Sequence, residues 1–68
     1  MPERLANRLK ERRAELGLTQ AELAEKVGVT RKTVNTVENG VFVPSTVIAL
    51  KMAEAFGLTV EKLFWIER

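Results

Sequence analysis

The chain has 68 residues, 46% of them hydrophobic and 29% charged, with a formal net charge of +2. That is room for one domain with a small core and a thin margin of stability. There is no Cys or His, which excludes disulfides and removes thiolate and imidazole metal ligands; with Asp and Tyr absent as well, acid–base and nucleophilic chemistry would fall to Glu, Lys, Ser and Thr, no pair of which has a suggestive spacing, so neither enzyme activity nor a cofactor, metal or small-molecule ligand is expected.

The apolar runs are a few residues long, far short of a membrane span. Met1 to Lys10 is charged throughout, without the apolar centre of a signal peptide. A soluble, cytoplasmic protein is expected. Residues 1–32 carry a net charge of +3 and residues 33–68 a net charge of −1. The basic half suggests a polyanion partner. On charge alone, a solvated helix face is as good a reading.

The pattern predicts an all-α domain of five helices, residues 1–68 forming one unit. The first helix runs from about Glu3 to Leu16, with Pro2 suiting its start, Leu5, Ala6, Leu9 and Leu16 as its apolar stripe, and Gly17 as its cap. The second starts after Thr19, where Thr19-Gln20-Ala21-Glu22 reads as a capping box, and ends at Gly28 with Leu23, Ala24 and Val27 inward. The third follows Thr30, carries Val34 and Val37 inward, and stops at Asn39-Gly40. Val41-Phe42-Val43-Pro44 is a loop, since Pro44 disfavours helix at Val43; Val41 or Val43 is expected to plug the core and Phe42 to be exposed. The fourth helix follows Ser45 and ends near Phe56-Gly57, with Val47, Leu50, Met52, Ala53 and Phe56 on its buried side. The fifth follows Thr59 and carries Val60, Leu63 and Phe64, with Trp65 and Ile66 directly after; no segment alternates like a strand.

Residues 20–39 hold the informative pattern: two helices joined by Gly28-Val29-Thr30. Small Ala24 lets the helices cross closely, and Gly28 permits the positive φ of a sharp turn. At about 100° per residue, Val34 and Val37 set the buried direction of the third helix. Arg31, Lys32, Thr33, Asn35 and Thr36 then form an outward, partly cationic face, and Glu38 lies toward the buried side. Such a face suits the DNA major groove: Arg and Lys donate to guanine, Asn pairs with adenine, and Thr offers a hydroxyl or meets a thymine methyl. The alternative is a merely soluble surface, though such a surface usually carries Glu at some of these positions.

Arg13 to Gln20, Ala21 to Gly28, Val29 to Gly40 and the Pro44-Ser45 pair together resemble the Cro/CI-type phage-repressor helix-turn-helix family, across about residues 4–64. The resemblance implies a five-helix domain that binds operator DNA, usually as a two-fold homodimer, and regulates transcription; a repressor is expected, since nothing in the sequence resembles a sensor or activation domain. It implies base reading by Arg31, Lys32 and Thr36, with Thr33 and Asn35 as lesser candidates. It also implies phosphate contacts by Thr19, Gln20 and Asn39; a helix N-terminus independently favours an anion beside Thr19 and Gln20. Arg13 and Glu38 match a structural ion pair of the family. Many relatives carry basic residues after Asn39-Gly40, whereas Val41-Phe42-Val43 is uncharged, so fewer phosphate contacts, weaker binding and a flatter salt dependence are expected. Leu63-Phe64-Trp65-Ile66 is unusually apolar, so residues 59–68 are a candidate dimer interface through Phe64, Trp65 and Ile66; the alternative is Trp65 folding back to finish the core. A dimer would set two reading helices roughly 34 Å apart on a near-palindromic site. A protein-interaction module or antitoxin component built on the same fold is the competing function.

Overall fold

The computed structural model describes residues 3–68, so the Pro2 helix start lies outside the described residues. The elements in chain order are β1 (Arg4–Asn7), α1 (Leu9–Glu15), α2 (Gln20–Val27), α3 (Arg31–Glu38), α4 (Thr46–Ala55), α5 (Val60–Leu63) and β2 (Phe64–Glu67).

The helix starts follow from side-chain chemistry. At α2, the Thr19 hydroxyl accepts from the Glu22 N–H at 3.0 Å and the Glu22 carboxylate accepts from the Thr19 N–H at 2.8 Å. Two backbone donors that the helix cannot satisfy are thereby satisfied. Thr19 draws the Glu22 carboxyl below its ordinary value, first through the backbone N–H and then through its hydroxyl. Thr30 and Ser45 cap α3 and α4 by accepting from the N–H three residues on. The turn between α2 and α3 is made at Gly28, at φ 83°, whose N–H reaches the Ala24 carbonyl at 2.8 Å.

The chain's start departs from the expected helix. Arg4–Asn7 is a strand, antiparallel to β2, with Arg4 opposite Glu67, Leu5 opposite Ile66, Ala6 opposite Trp65 and Asn7 opposite Phe64. The physical cause is Asn7. Its Oδ1 accepts from the Leu9 N–H at 3.1 Å, and its Nδ2 donates to the Val37 carbonyl at 2.9 Å. A side chain that takes the Leu9 N–H competes with helix through that point and lets α1 begin there. The partner strand Phe64-Trp65-Ile66 is aromatic and β-branched, the composition that suits a pleated surface. A four-residue strand is too short for alternation to be visible in the sequence.

The core joins all five helices and the ribbon: Leu9, Leu23, Val34, Val37, Met52 and Leu63 are fully buried, with Ala24, Val27, Ala53 and Phe64 beside them. On α4 the buried stripe is Met52 and Ala53, with Ile48, Ala49 and Phe56 packed at its margin. That spacing is one helical face, so Val47 and Leu50, expected inside, point to solvent. Neither Val41 nor Val43 plugs the core: both are exposed, Phe42 is 46% exposed, and Pro44 is the buried residue of that loop.

Candidate nucleic-acid interface

The site begins with an ion pair behind α3. Arg13 of α1 donates from Nε to Glu38 Oε2 at 2.8 Å and from an Nη to Glu38 Oε1 at 3.2 Å. Its other Nη donates to the Leu18 carbonyl at 3.0 Å. The side chains are 17% and 3% exposed. Hydrogen bonding to Glu38 raises the Arg13 guanidinium above its ordinary value, against the opposing effect of burial. This geometry clamps the end of α3 to the end of α1.

The carboxylate orients a chain of amides leading outward. Ionised Glu38 can only accept, so Gln20 must present its amide nitrogen, at 3.1 Å from Oε1. The second hydrogen on that nitrogen donates to Asn35 Oδ1 at 3.1 Å. Asn39 Nδ2 donates to the Asn35 backbone carbonyl at 2.9 Å and to Asn35 Oδ1 at 3.2 Å. The Asn35 oxygen is therefore used twice, and its NH2 is the group left to face a ligand. Asn35 offers donors to a base edge, suited to guanine O6 or a purine N7, rather than the paired donor and acceptor of bidentate adenine recognition.

Of the residues assigned to base reading, Arg31, Lys32 and Asn35 are exposed and Thr33 and Thr36 half-buried, all on α3. Among the described residues, the Arg31 and Lys32 side chains have no carboxylate partner. Thr36 Oγ1 donates to the Lys32 carbonyl at 2.9 Å, and the hydroxyls of Thr30 and Thr33 lie 3.0 Å apart. Of the residues assigned to phosphate, Gln20 and Asn39 have their amide hydrogens already engaged, Gln20 by Glu38 and Asn35, and Asn39 by Asn35. Among the described residues, the donors remaining for an anion near α2 are the Thr19 hydroxyl, which only accepts in the cap, and the backbone N–H groups of Gln20 and Ala21.

Sequence reasoning missed two positioning residues. Asn7 ties the start of α1 to the last turn of α3, and nothing in the sequence singled it out, since the predicted helix and its stripe of Leu5, Ala6 and Leu9 ran through it. Gln20 locks Asn35 onto Glu38, a role that becomes visible only once α2 and α3 are crossed. The residues expected at a dimer interface do not form one patch. Phe64 is buried, whereas Trp65 is 38% and Ile66 54% exposed. Strand alternation puts Trp65 on one face of the ribbon and Ile66 on the other. Trp65 neither folds into the core nor stands free: the Arg8 guanidinium sits 4.9 Å from its ring centroid.

Comparison with known proteins agrees with this geometry. A helix-turn-helix family model (HTH_3) matches residues 9–63. The chain is 48% identical over 63 residues to the uncharacterized HTH-type transcriptional regulator YgzD of Bacillus subtilis, covering 93% of this chain and 96% of that one. It is 43% identical over 63 residues to the uncharacterized HTH-type transcriptional regulator MJ0272 of Methanocaldococcus jannaschii, with the same coverage. Among solved structures, the restriction-modification controller protein C.AhdI of Aeromonas hydrophila superposes with a TM-score of 0.75 at 37% identity, over 79% of this chain and 82% of that one. The chain belongs to the Cro/CI-type helix-turn-helix family of DNA-binding transcriptional regulators. Among the described residues, no helix is long and apolar enough to cross a membrane.

Proposed function

We propose that the protein is a sequence-specific repressor that lays α3 in the major groove of a near-palindromic operator as a homodimer. The observation that carries this reading is the exposed line of Arg31, Lys32 and Asn35 along α3: among the described residues, two cations without a carboxylate partner and an amide with its hydrogens free. Arg31 and Lys32 stand at the N-terminal end of α3, the part of a recognition helix that reaches base edges. Backbone N–H groups at the start of α2, next to Thr19 and Gln20, supply phosphate contacts that fix register. Trp65 and Ile66 lie on opposite faces of the ribbon, so the second copy would pack on one of them, Ile66 being the more exposed, or on the exposed Val47 and Leu50 of α4.

A random-oligonucleotide selection at about 150 mM salt, where non-specific binding is weakened, tests the reading. An enriched inverted repeat is expected. Binding that fades uniformly with salt, without enrichment, would overturn it. Analytical ultracentrifugation at micromolar concentration tests the homodimer, and a monomer would remove it. The exposed Val41-Phe42-Val43 loop favours one competing reading, an interaction module or antitoxin component. Replacing Arg31 and Lys32 with Ala separates the two: a DNA reader loses function and an adaptor keeps it.

A further inference from the structure

We propose that Phe42 and Val41, together with the threonine side of α3, form a slot for the C5-methyl group of a pyrimidine in the major groove, thymine being the base that carries it in unmodified DNA. This inference rests on the base-reading assignment of α3 and adds to it a specificity contact from outside that helix.

The loop is held against α3 by its backbone. Val41 and Phe42 both donate to the Thr36 carbonyl, at 2.9 Å and 3.2 Å. Their side chains then line one shallow recess with Thr30, Lys32, Thr33 and Thr36. Three of these six residues belong to the reading face, so the recess continues that face on the side away from Gln20 and Asn35. No acidic residue lines it, and Lys32 brings a cation to it, so its charge suits nucleic acid.

Most of the hydroxyl capacity of its walls is already spent. The Thr36 hydroxyl gives its hydrogen to the Lys32 carbonyl, and the hydroxyls of Thr30 and Thr33 are paired with each other. Beside the Lys32 ammonium, what remains is mainly methyl groups, a valine and the half-exposed ring of Phe42. On the major-groove edges of the four bases the one apolar group is the C5-methyl of thymine. An uncharged loop at this position thus trades phosphate grip for contact with a base.

The test starts from the operator obtained by selection. Each thymine of one half-site is replaced in turn by uracil, which removes the methyl and leaves the hydrogen-bonding edge unchanged. Binding is measured by fluorescence anisotropy for wild type, Phe42→Ala and Phe42→Leu. Wild type is expected to lose about fourfold in affinity at one thymine, the equivalent of the ~0.8 kcal/mol of one buried methylene. Phe42→Ala should bind the thymine and uracil forms alike, while Phe42→Leu retains most of the preference. A 5-methylcytosine–guanine pair at that position should bind about fourfold tighter than cytosine–guanine in wild type and not in Phe42→Ala, which separates the methyl from the base's polar edge. An enriched operator with no methyl-sensitive position, or a preference that survives in Phe42→Ala, overturns the slot and leaves base reading by α3 intact. A selection that enriches nothing overturns base reading itself, and the slot with it.

Discussion

Replacing Arg13 with Met should be among the most damaging single changes in this chain. The Glu38 side chain is 3% exposed and receives two charge-assisted hydrogen bonds from Arg13. Without them one Gln20 N–H remains on a carboxylate that water barely reaches, and the Leu18 carbonyl loses its donor too. Stranding one partner of a buried pair costs about 3–5 kcal/mol. A domain of this size has a total stability of about 3–10 kcal/mol, so the variant should sit at the edge of unfolding. Thermal melts followed by far-UV circular dichroism should show the midpoint lowered by at least ~12 °C. The order of severity is a sharper check. Arg13 is 17% exposed and can turn toward water, so Glu38→Gln, which keeps the shape and loses the charge, should cost about 1.5–3 kcal/mol. The double replacement Arg13→Met with Glu38→Leu should recover part of the loss from Arg13→Met alone, because no charge is left uncompensated. An Arg13→Met variant within about 1 kcal/mol of wild type would refute the reasoning and class the pair with exposed ones.

Three further outcomes are expected. Asn7→Ala removes the side chain that joins Leu9 N–H to the Val37 carbonyl and should cost about 1–2 kcal/mol in urea denaturation, the loss typical of a helix-start cap. Gly28→Ala meets no steric obstacle but must hold φ 83°, so chemical denaturation should show a loss of about 1–2 kcal/mol from backbone conformation alone. The Glu22 carboxyl is depressed in the folded state, so its contribution is complete above its unfolded value near 4.5 and disappears as pH falls through the lower folded value. The difference in melting temperature between wild type and Glu22→Gln should therefore be constant from pH 7 to 5 and shrink toward pH 3; a difference that grows on acidification would contradict the capping geometry.

What the sequence disclosed was local, and what it concealed was mostly distant. Thr19, Thr30 and Gly28 announce the edges of α2 and α3 because capping and positive φ depend on residues within three or four positions. Val34 and Val37 orient α3 for the same reason. The β1–β2 ribbon was hidden, since Arg4 and Glu67 meet only when the whole chain has folded, and each strand is too short to show a period. On α4 seven of ten residues are Val, Ile, Leu, Met or Ala, so the apolar pattern alone could not say that Ile48 rather than Val47 packs inward. At the site, the outward residues of α3 follow from its period. The engagement of Gln20, Asn35 and Asn39 does not, because it depends on which amide atom Glu38 demands.

That chain of amides also divides the interface by mobility. Gln20, Asn35 and Asn39 are already held to one another and, through Glu38, to Arg13. Ordering a long side chain on binding costs about 0.5–1.5 kcal/mol, and for these three the cost has been met in folding. Arg31 and Lys32 are still to be ordered when a ligand arrives. On the proposed base-reading role, one half of the surface would be a rigid template that rejects ill-fitting sequences by shape, and the other a pair of flexible arms that adjusts to whichever phosphates or guanines lie in range. Any change that loosens Arg13 would soften the template, and selectivity would fall before affinity does.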